Sequence, residues 1–180
     1  MNISIFCSAN NNIDPDFFVA TKELGTWLAQ QKHTVVFGGC NLGLMECVAR
    51  AAHNAGGRTM GIIPRIIEEN GKRSQFVDEA IFCDSLSERK DLLLEHGDVI
   101  IALPGGIGTL DEVFTVAAAH TIGYHNKIVI LYNIKGFWDS LIAMMDDLNE
   151  KGVVRGEWHE YIKTADSLQQ IDRLVAHIEK

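Results

Sequence analysis

The sequence predicts an α/β fold, a doubly wound parallel sheet flanked by helices, in one domain covering residues 1–180. Three observations predict it. Short apolar runs alternate with longer segments of helical period along the chain. Several of those runs are apolar at every position, as parallel strands covered on both faces must be. A chain of 180 residues, 47% hydrophobic and 22% charged, is long enough to bury one sizeable core.

The first run, Ile3–Cys7, predicts a strand. A helix over Pro15–Gln31 follows, with Asp14 placed to cap it and Pro15 at its first position, where a missing N–H costs nothing. Thr34–Phe37 predicts the second strand, Leu44–Ala55 the next helix and Thr59–Ile63 the third strand. The stretch from Pro64 to Asp78 contains Glu68-Glu69-Asn70-Gly71-Lys72-Arg73 and has no regular period. It is expected to be a mobile surface loop, placed to act as a lid. Ala80–Cys83 is a strand, and Leu86–Glu95 a helix opened by a capping box of Ser85 and Glu88. Val99–Leu103 is the clearest strand, and the alanine-rich segment Leu110–Ile122 is the helix after it. Ile128–Tyr132, Trp138–Glu150, Tyr161–Thr164 and Ser167–Glu179 add strand, helix, strand and helix. Ser167 and Gln170 form a second capping box. Such alternation calls for right-handed crossovers and places ligands at the carboxyl ends of the strands.

Composition narrows the function. With 16 basic and 24 acidic residues the net charge is −8, so the surface as a whole repels nucleic acid and anionic membranes. Basic residues that cluster therefore suit a small anion. Cys7, Cys40, Cys47 and Cys83 are scattered without a C-x-x-C pair and are expected to be reduced core residues, as in a cytoplasmic protein. No leader or membrane span is expected, since Met1 leads straight into the first strand. The seven histidines stand singly, so no metal and no organic cofactor is expected. No G-x-S-x-G elbow marks a serine hydrolase.

The strongest signal is the loop Pro104-Gly105-Gly106-Ile107-Gly108-Thr109, between a strand and a helix. Its glycines let the backbone approach an anion, and the helix start adds a positive dipole end. Thr109 is placed to cap that helix and to donate its hydroxyl to a phosphate oxygen. The dinucleotide pattern G-x-G-x-x-G fails because Asp111 stands at its last glycine. The loop Gly38-Gly39-Cys40-Asn41-Leu42-Gly43 has Walker-like spacing, but Leu44 replaces the required lysine. Lying at the same sheet edge, this loop either forms a tight turn or clasps the ligand from its other side.

Arg89 and Lys90 fall near a helix N-terminus, against the macrodipole, which makes sense beside a bound phosphate. Pairing with Glu88 and Asp91 on the surface is the alternative. Glu112 follows the glycine loop by one turn. The apolar stripe Leu110, Val113, Phe114, Ala117 turns it off the core face, where it either stabilises the helix start or acts on a sugar. Asp111 competes for that role.

The run Pro104 to Glu112 matches the motif P-G-G-x-G-T-x-x-E and resembles the LOG (Lonely Guy) family, cytokinin riboside 5′-monophosphate phosphoribohydrolases often mislabelled as lysine decarboxylases. Gly38-Gly39 through Met45, Gly61-Ile62-Ile63-Pro64 and Arg89-Lys90 fall in family order, so the likeness covers nearly the whole chain. It implies a Rossmann-like fold, a homodimer or larger assembly, and hydrolysis of the base–ribose bond of AMP or N6-modified AMP. It makes Arg89 and Glu112 catalytic. It places the phosphate on Gly105, Gly106, Ile107, Gly108 and Thr109, with Lys90, Gly38 and Gly39 as further binding residues. The chain departs from the family pattern at Ser87 (histidine is usual), at Cys40 and at Glu46 (glycine is usual). No lysine sits in a pyridoxal-phosphate motif. The competing readings are a carrier of a nucleotide or of molybdenum cofactor, and a transferase that passes the sugar to another base.

Overall fold

The computed structural model describes residues 1–178. The elements run β1 (Asn2–Phe6), α1 (Pro15–Gln30), β2 (Thr34–Phe37), α2 (Gly43–Asn54), β3 (Arg58–Pro64) and α3 (Arg65–Glu69). They continue as β4 (Glu79–Cys83), α4 (Leu86–His96), β5 (Val99–Ala102), α5 (Ile107–Thr121), β6 (Val129–Tyr132), α6 (Asp139–Glu150), β7 (Ile162–Ala165) and α7 (Leu168–Ile178). All described strand pairs are parallel, in the order β4-β3-β2-β1-β5-β6-β7. The predicted α/β class, with its doubly wound sheet, is the observed one.

Alternation within the strands builds two cores. Ile3 and Ile5 of β1 face α1, α2 and α7 with Leu24, Leu28, Val35, Phe37, Val48 and Ile171. Phe6 faces α4, α5 and α6 with Val36, Leu93, Ile100, Val113 and Trp138. Ser4, buried on this second face, donates to Leu93 O at 2.7 Å, so its hydroxyl is satisfied. The helix starts follow the expected chemistry. Asp14 accepts from Asp16 N at 2.9 Å. Ser85 accepts from Glu88 N at 3.1 Å, and Glu88 reaches back to Asp84 N at 2.7 Å. Ser167 and Gln170 repeat the pattern, with Gln170 taking Asp166 N at 2.6 Å. The expected end of the last helix, Glu179, lies outside the described residues.

Two expectations are corrected. The stretch after Pro64 is not a free loop. It forms α3 and then a strap fastened to the loop after β2 by an antiparallel bridge between Cys40 and Arg73, made by two hydrogen bonds of 2.8 Å, Asn41 N to Lys72 O and Ser74 N to Gly39 O. Phe76 and Val77 pack against the first core. The helix after β5 begins at Ile107, not Leu110, with Gly106 as N-cap. The first three residues of a helix need donate no helical hydrogen bond, so glycine is tolerated there although its low propensity argues against it.

Candidate active site

The order of the strands fixes where a crevice opens. From β1 the chain winds outward to β4, then returns to the other side of β1 as β5. The loops leaving β1 and β5 therefore diverge to opposite faces, which is the switch point where ligands bind in such sheets. Ser8 N donates to Pro104 O at 3.1 Å and ties the two loops at the base of the crevice. Leu44 N donates to Ser8 O at 2.9 Å and Gly43 N to Asn11 Oδ1 at 2.9 Å, which docks the start of α2 on the same loop. A Cβ on Gly43 would stand 2.5 Å from the carbonyl carbon of Ala9, and its φ is +57°, so only glycine permits this approach.

The resulting cleft, about 200 Å³, has Cys7, Ser8 and Ala9 on one side and Gly106, Gly108 and Thr109 on the other. Met45, Arg89 and Glu112 complete it. Across its wall Arg89 Nη1 donates to Glu112 Oε1 at 3.0 Å, and the two side chains are only 15% and 6% exposed. Burial pushes the Glu112 carboxyl above its ordinary range, against the opposing pull of Arg89. Burial also raises the Cys7 thiol well above its usual value, reinforced by the Glu112 charge, so Cys7 is a neutral wall of the site. Among the described residues, Arg89 Nε is buried without a hydrogen-bond partner. Outside this pair Lys90 Nζ grips both carboxylate oxygens of Asp111 at 2.9 Å.

The glycine loop is open where a ligand would need it open. A Cβ added to Gly106 or Gly108 would meet nothing within 4 Å. The N–H groups of Ile107, Gly108 and Thr109 open α5 and have no helical acceptor. Thr109 lies inside the helix and does not cap it, because the helix starts before it; its buried side chain fills the space beside Gly105.

Glu112 is also corrected. It sits on the buried stripe Thr109, Glu112, Val113, Val116 and Ala117, while Leu110 and Phe114 are half-buried. The stripe is rotated relative to the apolar residues because it faces the sheet end and Arg89 as well as the core. Arg89 and Lys90 reach across to α5 and do not pair with Glu88 and Asp91. Gly38 lies under the Arg89 guanidinium and Gly39 against Ile63; neither lines the cleft.

A second cleft of about 250 Å³ adjoins the first through Ser8 and Gly106. Its walls are Ile13, Phe17, Pro104 and Phe137, with the two phenylalanine rings edge to face at 5.5 Å. The residue-by-residue reading missed Cys7, Ser8, Met45, Phe17 and Phe137. The signal for the first two was available in topology, since the strand beside the switch point must send its loop into the crevice.

Comparison with known proteins identifies the family of this chain. A family model described as "Possible lysine decarboxylase" matches residues 45–175. Cytokinin riboside 5′-monophosphate phosphoribohydrolase LOG5 of Arabidopsis thaliana is 31% identical over 97% of this chain and 77% of its own length. Its paralogue LOG3 is 31% identical over 94% of this chain and 79% of its own. The chain belongs to the LOG family. Solved structures show the same fold in proteins of other description. The molybdenum cofactor carrier protein of Chlamydomonas reinhardtii superposes with a TM-score of 0.77 at 22% identity, covering 99% of this chain and 97% of that one. The molybdenum cofactor binding protein of Rippkaea orientalis gives 0.75 at 23%, covering 99% and 97%. Of the positions where this LOG-family chain departs from the family motif, Ser87 is exposed on α4 and Cys40 is buried at the strap. Glu46 is half-buried beside Met45, with Oε2 lacking a partner among the described residues.

Proposed function

We propose that this protein hydrolyses the N-glycosidic bond of nucleoside 5′-monophosphates, AMP and its N6-modified cytokinin forms, releasing free base and ribose 5-phosphate. The observation that carries the proposal is the buried Arg89–Glu112 pair opening onto the amide-bearing start of α5. The phosphate sits on the N–H groups of Ile107, Gly108 and Thr109, over the open faces of Gly106 and Gly108, with Lys90 at the rim. The ribose then lies over Glu112, one helical turn on. The base extends into the adjoining apolar cleft, against the Phe17 and Phe137 rings that form its wall.

Cleavage adds the oxygen of water to C1′ and leaves the bonding electrons, and a proton, on the base nitrogen; nothing is oxidised or reduced. Positive charge builds at C1′ and the ring oxygen as the bond breaks, and the Glu112 carboxylate opposes it in a site largely removed from water. Arg89 favours the ionised form of that carboxylate and offers its free donors to the phosphate or the departing base. A preorganised term of this kind is worth about 2.7–4 kcal/mol of barrier.

The test is incubation of pure protein with AMP, isopentenyl-AMP and adenosine, following free base by chromatography. Base should appear from both monophosphates, and from adenosine more slowly by on the order of a hundredfold, since the loop anchors substrate through the phosphate. Binding of AMP without release of base would replace the hydrolase by a carrier. Release of base only when a second base is supplied would make it a transferase.

A further inference from the structure

Arg89 has five donor N–H groups, yet its side chain makes one hydrogen bond among the described residues, to Glu112. One bond does not fix a long side chain with four soft torsions. Shape supplies the rest. A Cβ built on Gly38 would overlap Arg89 Nη2 and lie 3.1 Å from Cζ, with Met45 Sδ also at 3.1 Å. The guanidinium therefore rests on the bare Cα of Gly38, with the Met45 thioether beside it and Glu112 at its end.

The backbone at Gly38 does not itself demand glycine, because its φ lies outside the left-handed region; the neighbouring Gly39, at φ +70°, does. What excludes a side chain at Gly38 is the guanidinium. Nor is the loop free to back away. Gly39 O accepts from Ser74 N and Asn41 N donates to Lys72 O, both at 2.8 Å, so the strap between α3 and β4 pins the loop to the sheet end.

We infer that Gly38 is a positioning residue for the reaction proposed above, its missing side chain forming the seat that holds the Arg89 guanidinium against Glu112. The role reaches the reacting atoms only through Arg89. It also gives the strap a function: by holding the loop after β2, it fixes the floor under the arginine.

Gly38→Ala tests this. The added methyl displaces the guanidinium by an ångström or more, which should lower kcat for AMP by about tenfold to a hundredfold. KM should change less than kcat, because the phosphate loop is untouched. The acid limb of the kcat profile should move to higher pH, since Arg89 is the charge that pulls the Glu112 proton affinity down. A general loosening of the fold would scale the profile without moving it.

The decisive comparison is a double-mutant cycle. In an Arg89→Lys background the slimmer ammonium vacates the Nη2 position, so Gly38→Ala should cost far less there than in wild type. Should Gly38→Ala alone fail to fold, Gly38→Ala/Arg89→Ala should melt at the same temperature as Arg89→Ala. Wild-type kcat in Gly38→Ala, an equal loss in both backgrounds, or a double variant that stays unfolded would each overturn the inference. Failure of the wild type to release base would instead remove the reaction on which it rests.

Discussion

At Glu112 burial and charge pull in opposite directions. Loss of water favours the neutral acid, Arg89 at 3.0 Å favours the carboxylate, and burial wins, so the proton is held above the ordinary value of 4.5. Catalysis by the carboxylate then predicts an acid limb of kcat/KM displaced upward from the ordinary carboxylate range. The same shift has a stability consequence of definite sign. The folded state binds this proton more tightly than the unfolded chain does. Its contribution is therefore fully present below the unfolded pKa and lost as pH rises through the folded one. The unfolding free energy of wild type minus that of Glu112→Gln should fall with rising pH across that window. Urea titrations at several pH values measure the difference, and a flat or rising line would contradict the burial argument. Kinetically, Glu112→Gln should leave AMP binding intact by calorimetry and cut base release by about a hundredfold or more. Asp111→Asn, at a side chain 54% exposed on the rim, should be mild. Equal turnover in wild type and Glu112→Gln would remove Glu112 from the chemistry. Both members of the Arg89–Glu112 pair are legible in the sequence, one beside the glycine loop and one near a helix start. Their contact is not, because it depends on the angle at which α4 and α5 meet over the sheet end.

The start of α5 shows how an element is tuned for a ligand at the expense of its own stability. Gly108 occupies the first turn, where alanine would hold the helix better, and no protein atom stands in its Cβ direction. Gly108→Ala should therefore stabilise the fold by about 0.4–1 kcal/mol. The methyl enters the space where a phosphate would approach the Ile107–Thr109 amides, so AMP affinity should fall at the same time. Thermal unfolding and calorimetric titration of the one variant read both effects; a variant that is more stable and binds AMP as tightly would place the phosphate elsewhere. Most elements are legible to within a few residues because period and caps agree, as at Asp14, Ser85 and Ser167. The glycine-rich helix start is not, since propensity argues against a helix that the ligand site favours. The strap at Lys72–Ser74 is missed for another reason: its partners, Gly39 and Asn41, lie three elements back in the chain.

For the molecule as a whole, alternation of strand and helix dictates the sheet, and the return of the chain from β4 to β5 dictates the crevice beside β1. The sheet accounts for the inner faces of the helices and leaves one outer face unexplained. Along α5 and its C-cap the stripe turned from the core carries Ile107, Asp111, Ala118 and Ile122, while Phe114 on the same line is half-buried against the second core. Ile107 is 83% and Ile122 54% exposed, and Leu86 at the start of α4 is 69% exposed. Scattered apolar residues on a surface are ordinary, but a stripe along one helix continued by its neighbour is the mark of a surface that meets a partner. A second copy of the chain is the partner we propose, since a homodimer is also what the family resemblance implies. Leu86 and Ile107 flank the Lys90–Asp111 rim, so such a dimer would bring each site close to the interface. Light scattering at micromolar concentration should give twice the chain mass. Ala118→Glu puts a charge in the middle of the stripe on an exposed residue outside the cleft, so the fold should be retained while the mass halves. If the neighbouring copy closes the site, base release should fall together with dimer content as Ala118→Glu is diluted. A wild type that is a stable, fully active monomer would exclude the dimer and leave the stripe open to a different partner.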